Sequence, residues 1–199
     1  MTRRLILALT FVAGLAAIQP SYTLLAQAPG AWVTLFDGRS LAGWKVVGDA
    51  NWEVADGVVQ ATKSGAASFL VTPAPYTDFQ ITLDFWVSPE ANSGVFIRCE
   101  DPKTITTMNA YEVNIFDMRP DPAYRTGGIV NIARPLSMIN TGNRWNTFDI
   151  SAKGSKFTVL INGEKMVDGA ENADHKTGRI ALQYGTGTVK FRNVRIRTL

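Results

Sequence analysis

The chain has 199 residues, 46% of them hydrophobic, with 20 Lys plus Arg against 17 Asp plus Glu, one Cys and one His. A net charge of +3 with no basic run argues against a nucleic-acid groove, and one Cys cannot form an internal disulfide. One His with one Cys cannot build the usual zinc site, and any hydrolase triad would have to use His175; a divalent cation held by carboxylate and carbonyl oxygens stays open.

Arg3 and Arg4 precede an apolar run over 5–18, and Ala26-Gln27-Ala28 follows before Pro29. This order predicts a signal peptide over 1–28 and a mature chain, 29–199, exported to the periplasm or the extracellular space. Gln19, Pro20 and Ser21 end the run too early for a membrane span, so none is expected in the mature chain. Thr2-Arg3-Arg4-Leu5 matches a twin-arginine signal in part, which leaves the export route open. Losing Arg3 and Arg4 leaves the remainder nearly neutral.

From Pro29 onward, short runs of two-residue period alternate with Gly, Asn, Asp and Pro, and no amphipathic helix interrupts them. Asp56-Gly57 divides a hairpin over 52–55 and 58–61. In 79–87, Phe, Ile, Leu, Phe and Val alternate with Gln, Thr, Asp and Trp, so one face is core and the other polar. Alternation then assigns Val95, Ile97 and Cys99 to the core and Gly94, Phe96 and Arg98 to the opposite side. On the next strand Tyr111, Val113 and Ile115 oppose Glu112, Asn114 and Phe116. Lys153-Gly154-Ser155 joins 147–152 to 157–161, Asn162-Gly163 turns into 164–167, and strands over 180–184 and 189–197 close the chain. About a dozen strands at this spacing predict a single all-β domain of two packed sheets. Residues 62–78, 100–110, 117–127 and 168–177 are the least regular, and binding rims belong in such loops. His175, in the last of them, is expected to be exposed.

Asp84, Trp86, Arg98, Glu112 and Gln183 stand out of phase with their core neighbours, which predicts one concave face of charges, amides and rings. Such a face suits a carbohydrate, because amides and charges bond hydroxyls while Trp86 and Phe96 offer flat apolar surfaces. The plainer account is an Arg98–Glu112 cross-strand ion pair on a wet sheet, worth well under about 1 kcal/mol.

At these residues the sequence resembles the 3-keto-disaccharide hydrolase domain family, long catalogued as a domain of unknown function. The resemblance rests on Asn92-Ser93-Gly94-Val95-Phe96-Ile97-Arg98, then Tyr111-Glu112-Val113-Asn114-Ile115-Phe116-Asp117, then Thr126-Gly127-Gly128-Ile129. Leu35-Phe36-Asp37-Gly38 with Leu41-Ala42-Gly43-Trp44 fits the family's start, and Arg144-Trp145-Asn146, Leu160-Ile161-Asn162-Gly163, 178–183 and 191–196 follow in order over 33–199. The resemblance implies a concanavalin-A-like (LamG-like) jelly roll and an exported bacterial hydrolase of glycosides oxidised to a ketone at sugar C3. Two departures from the family pattern stand out. Asn114 replaces a Gln, and Leu182-Gln183 is followed by Tyr184-Gly185 where the family has an acidic residue and a His.

A C3 ketone acidifies the C2 proton, so a base can remove it, the glycosidic oxygen can leave from C1, and water can add back. On this reading Glu112 is the base, Arg98 the partner of the enolate oxygen and Asp84 the reserve base; Trp86, Phe96, Asn114, Gln183 and Tyr184 bind the substrate. Asp117 either holds a divalent cation with loop carbonyls or forms a turn with Arg119. The alternative is a lectin-like carbohydrate-binding module on the same sandwich, since fold alone does not separate the two. A third reading, an assembly module without a sugar site, would need a large apolar patch that the sequence does not advertise.

Overall fold

The computed structural model describes residues 30–199, so the expected signal peptide lies outside the described residues. Thirteen strands follow in chain order: β1 (Val33–Thr34), β2 (Lys45–Val47), β3 (Glu53–Ala55), β4 (Val58–Ala61), β5 (Ser68–Val71), β6 (Phe79–Val87), β7 (Asn92–Cys99), β8 (Tyr111–Ile115), β9 (Trp145–Lys153), β10 (Lys156–Ile161), β11 (Glu164–Glu171), β12 (Arg179–Thr186) and β13 (Val189–Thr198). Among the described residues the only helical element is a single 3-10 turn, Pro122–Tyr124, and no helix is long and apolar enough to cross a membrane.

Two antiparallel sheets result. The larger has the order β11-β10-β9-β6-β13-β4-β3, with β1 also paired to β13, and the smaller has the order β2-β5-β12-β7-β8. This is the all-β two-sheet sandwich that the two-residue periodicity predicts, of the jelly-roll kind that the resemblance implies. Ile81, Leu83 and Phe85 of β6 meet Val95, Ile97, Val113 and Ile115 of β7 and β8 in one buried core, as expected. Each such side chain contributes roughly 1.5–3 kcal/mol by leaving water. Both predicted tight turns form, with Asp56 at φ 52° and Asn162 at φ 53°, each followed by a glycine that is also at positive φ.

One element departs from strict alternation, and it reorganises everything after Ile97. Arg179 pairs with Cys99 and Ala181 with Phe96, so β7 carries one residue more than β12 between these pairs. Arg98 takes up this bulge at φ 54°. Ile97 stays in the core and Arg98 also turns inward, its guanidinium 5.4 Å from the centroid of the buried Phe157 ring. Cys99 is thereby turned outward to join Phe96, Phe69 and Val71 in a small apolar cluster capped by Ile105 and Ala110. The expected inward Cys99 and outward Arg98 are both reversed.

Gly178 permits this arrangement. A Cβ there would lie 2.3 Å from the Arg98 carbonyl carbon and 2.5 Å from the Cys99 carbonyl oxygen, both backbone atoms. Gly178→Ala is therefore expected to destabilise the fold by about 2–3 kcal/mol, read as a lower urea midpoint with an unchanged slope. A midpoint equal to wild type would show that the bulge has slack.

Candidate functional site

Three family blocks meet in a single row across the smaller sheet. Gln183 of β12, Gly94 of β7 and Asn114 of β8 are direct cross-strand neighbours on its outer face. Glu112 precedes Asn114 by two residues and so shares its face, opposite Phe96. Gly94 leaves the floor open, since a Cβ at that position would lie 3.2 Å from both Cγ and Oε1 of Glu112. The chain after β8 then folds back along it. Gly127 N–H donates to the Asn114 carbonyl, Asn114 N–H to Gly128 and Val130 N–H to Glu112, at 2.9–3.0 Å. This return stretch sets Tyr124 and Val130 as a wall, with Arg119 beside it, around a cavity of about 170 Å³ that also includes Asn92.

The polar groups of this cavity are incompletely paired. Asn114 Nδ2 donates to the Tyr124 carbonyl, which commits the nitrogen end of the amide and leaves the buried Oδ1 without a partner. Gln183 Oε1 is likewise buried and unpartnered. Such oxygens are costly in a finished core and serve well as acceptors for incoming hydroxyls. Burial raises the Glu112 carboxyl to about 7, against the opposing pull of the Arg119 charge. Arg119 itself lies over the Phe116 and Tyr124 rings, 5.7 and 5.8 Å from their centroids. Near neutral pH, Glu112 can accept or give up a proton within reach of two amide acceptors and one guanidinium.

Of the residues expected from the sequence, Glu112, Asn114 and Gln183 come together. Arg98 does not join them. It is only 1% exposed and turned between the sheets, where its guanidinium donates to the carbonyls of Thr77, Gly154 and His175 at 2.7–3.1 Å and reaches Asp78 at 3.3 Å. The bulge is the cause, because it inverts the alternation that predicted a shared face. Asp84 and Trp86 keep the expected alternation on β6 but belong to the larger sheet, so their outer face is on the opposite side of the sandwich. Phe96 shares the face of Glu112 yet is packed edge-on against Phe69 at 5.3 Å beneath the 100–110 loop, which removes it as a stacking surface. Tyr184 is in the inter-sheet core, its hydroxyl donating to the Gly187 carbonyl.

His175 is buried rather than exposed. Its ring meets Tyr111 at 4.9 Å, and its backbone N–H donates to the Tyr111 hydroxyl. Asp117 sits in the expected turn, which the Arg119 N–H closes on the Phe116 carbonyl at 3.3 Å. Its carboxylate accepts from the hydroxyls of Thr126 and Thr141 and from the N–H groups of Thr141 and Gly142, so it ties the return loop down. These four donors fill that carboxylate, and among the described residues no three His, Cys, Asp or Glu side chains converge. Sequence reasoning missed Asn92, Arg119, Tyr124 and Val130 as lining residues. The one signal available was the irregular 117–127 stretch directly after the Glu112 strand.

The family model of the 3-keto-alpha-glucoside-1,2-lyase-like domain matches residues 31–197. The chain belongs to this family. A curated 3-keto-disaccharide hydrolase of Bacteroides thetaiotaomicron is 27% identical over 97 residues, which make up 43% of this chain and 33% of that protein. The match therefore spans about a third of the relative's length. A candidate glycosyl hydrolase from Parabacteroides distasonis superposes with a TM-score of 0.70 at 26% identity, covering 85% of this chain and 100% of that one. A carbohydrate-binding module from Bacillus subtilis superposes with a TM-score of 0.63 at 20% identity, covering 78% and 96%, and so speaks for the fold alone. The family and the Parabacteroides distasonis neighbour support a carbohydrate-acting role for this chain.

Proposed function

We propose that this family member hydrolyses glycosides carrying a ketone at C3, with Glu112 as the base. The observation that carries the reading is the Glu112 carboxyl, raised to about 7 in a cavity whose two amide oxygens lack partners. Asn114 Oδ1 and Gln183 Oε1 accept hydroxyl protons of the sugar and hold C2 over Glu112. Glu112 takes the C2 proton, and the electron pair of that bond forms an enolate whose oxygen lies against the Arg119 guanidinium. Collapse of the enolate forms the C1–C2 double bond and expels the glycosidic oxygen from C1, which takes a proton from solvent water as it leaves. Water then adds its oxygen to C1 and gives its proton to solvent, replacing the one the leaving oxygen took, while Glu112 returns its proton to C2, so the net change is hydrolysis with no oxidant consumed. Arg119 takes the role that alternation had given to Arg98, and its position follows from the loop rather than from a strand. Export of the chain from residue 29 onward belongs to the same reading, because an oxidised disaccharide would meet the protein outside the cytoplasm.

The test is reducing-sugar release from matched 3-keto and unoxidised disaccharides across pH. Turnover is expected only with the ketone, and log kcat/KM should rise with unit slope and level off above about pH 7, where Glu112 is ionised. A flat profile would remove Glu112 as the base. Turnover of the unoxidised sugar would remove the elimination route.

A further inference from the structure

The larger sheet carries a second polar face that the Glu112 chemistry does not use. At the middle of β13 the pairing with β6 shifts between Arg192 and Arg195, and Asn193 adopts φ 53°, an uncommon conformation for a residue other than glycine. This turns the Asn193 amide onto Asp84, whose carboxylate accepts from Asn193 Nδ2 at 2.7 Å, Thr147 Oγ1 at 2.7 Å and Arg192 Nε at 3.2 Å. The hydrogen bonds hold Asp84 ionised below the usual carboxylate range despite its burial. Three donors occupy three of its about four lone-pair sites, so the carboxylate is oriented and still able to accept.

Asp84 and Thr147 lie in a cleft of about 600 Å³, walled by Asp37 and by the Gly57 turn of the β3–β4 hairpin and bordered by Thr34 and Arg195. A second cavity, of about 250 Å³, lies on the other flank of that hairpin and includes Trp145, Gln60 and Lys190. The two cavities are linked through β9, where Trp145 precedes Thr147 by two residues, roughly 7 Å along the same face. Arg192 stacks on the Trp145 ring at 4.0 Å and fixes it in place. Carboxylates, hydroxyls, an amide and a guanidinium around one cleft, beside a held indole, match a neutral polyhydroxylated chain. A polyanion would meet both Asp37 and Asp84.

We propose that this face binds a neutral oligosaccharide of several units, with one unit in the Asp84 cleft and a neighbour against Trp145, on the side of the sandwich opposite the Glu112 cavity. The site does not depend on the ketone chemistry, since it shares no residue with that cavity. The two faces differ in what they admit. The Glu112 cavity is small and enclosed by the return loop, whereas the second face runs past a hairpin and can follow a chain. The protein would hold an unoxidised glycan there while the other face handles short oxidised sugars.

Calorimetry with maltohexaose, cellohexaose and mannohexaose tests this on wild type, Glu112→Gln, Thr34→Trp and Trp145→Ala. Thr34 is exposed at the rim, so a tryptophan there fills the cleft without entering the core. At least one hexasaccharide should bind wild type and Glu112→Gln equally, and Thr34→Trp and Trp145→Ala should each weaken it roughly tenfold or more. Both of the latter variants should turn over a 3-keto disaccharide like wild type, which separates failure of this site from failure of the catalytic reading. Three outcomes overturn the proposal: no binding of any of the three sugars, binding unaffected by Thr34→Trp, or binding confined to chondroitin sulfate as an acidic control.

Discussion

Glu112→Gln is expected to lower turnover of a 3-keto disaccharide by about 100-fold or more while leaving affinity for the substrate nearly unchanged. The amide keeps the shape of the side chain and can still hydrogen-bond a hydroxyl, but it cannot take the C2 proton. The same substitution should act on stability with a defined pH dependence. Burial raises the folded carboxyl from 4.5 to about 7, so the folded state holds a proton that the unfolded chain has already lost. That contribution is fully present below about pH 4.5 and is lost as pH rises through 7. Glutamine mimics the protonated acid at every pH. Glu112→Gln should therefore match wild type near pH 4 and exceed it near pH 8 by on the order of 3 kcal/mol. Paired urea titrations at the two pH values measure this. Equal turnover by the variant and wild type would move the base elsewhere, and an equal stability gap at both pH values would show that Glu112 is not desolvated as described.

Arg98→Met is expected to cost about 3–5 kcal/mol and to lower Tm by roughly 6–20 °C, without abolishing turnover in the folded fraction. Arg98 is the largest fully buried side chain among the described residues, and its guanidinium satisfies carbonyls from three separate segments, at Thr77, Gly154 and His175. Methionine fills part of the volume but leaves those three acceptors in an apolar setting without donors. Arg98→Lys should recover little, because an ammonium cannot reproduce a planar fork that reaches two sides at once. Assays at low temperature on folded Arg98→Met separate a structural from a chemical role. A loss of turnover as large as that of Glu112→Gln, with Tm unchanged, would put Arg98 back at the reacting atoms.

The row that builds the cavity was legible in the sequence because it depends on local rules. Alternation is a property of each strand by itself, so Glu112 and Asn114 on one side of β8, and Gln183 between Leu182 and Tyr184 on β12, could be assigned correctly from the chain alone. The Asn-Gly and Asp-Gly turns were equally plain, since only residues tolerant of positive φ close such hairpins. The seven core residues followed from the same period, and the family blocks ran in order along the chain. Periodicity does not say which of two sheets a strand enters. Asp84 and Trp86 alternate as expected on β6, yet β6 pairs with β9 and β13 rather than with β7, and that choice alone carries their polar face to the other side of the sandwich. It rests on non-local pairing among residues far apart in sequence.

Nor does a period survive an inserted residue. The bulge at Arg98 exists because Gly178 lets another backbone approach within contact distance and because three distant carbonyls reward an inward guanidinium, neither of which is written near residue 98. Arg119 reached the cavity for a related reason. A loop residue has no period to read, and its place was decided by the hydrogen bonds of Asp117 to Thr126, Thr141 and Gly142, which close the return stretch over β8. Local stereochemistry thus determined the strands, the turns and the faces of single strands. Long-range pairing, one bulge and one anchored loop decided which of those faces meet, because only the packed chain brings together the distant donors and acceptors that hold them.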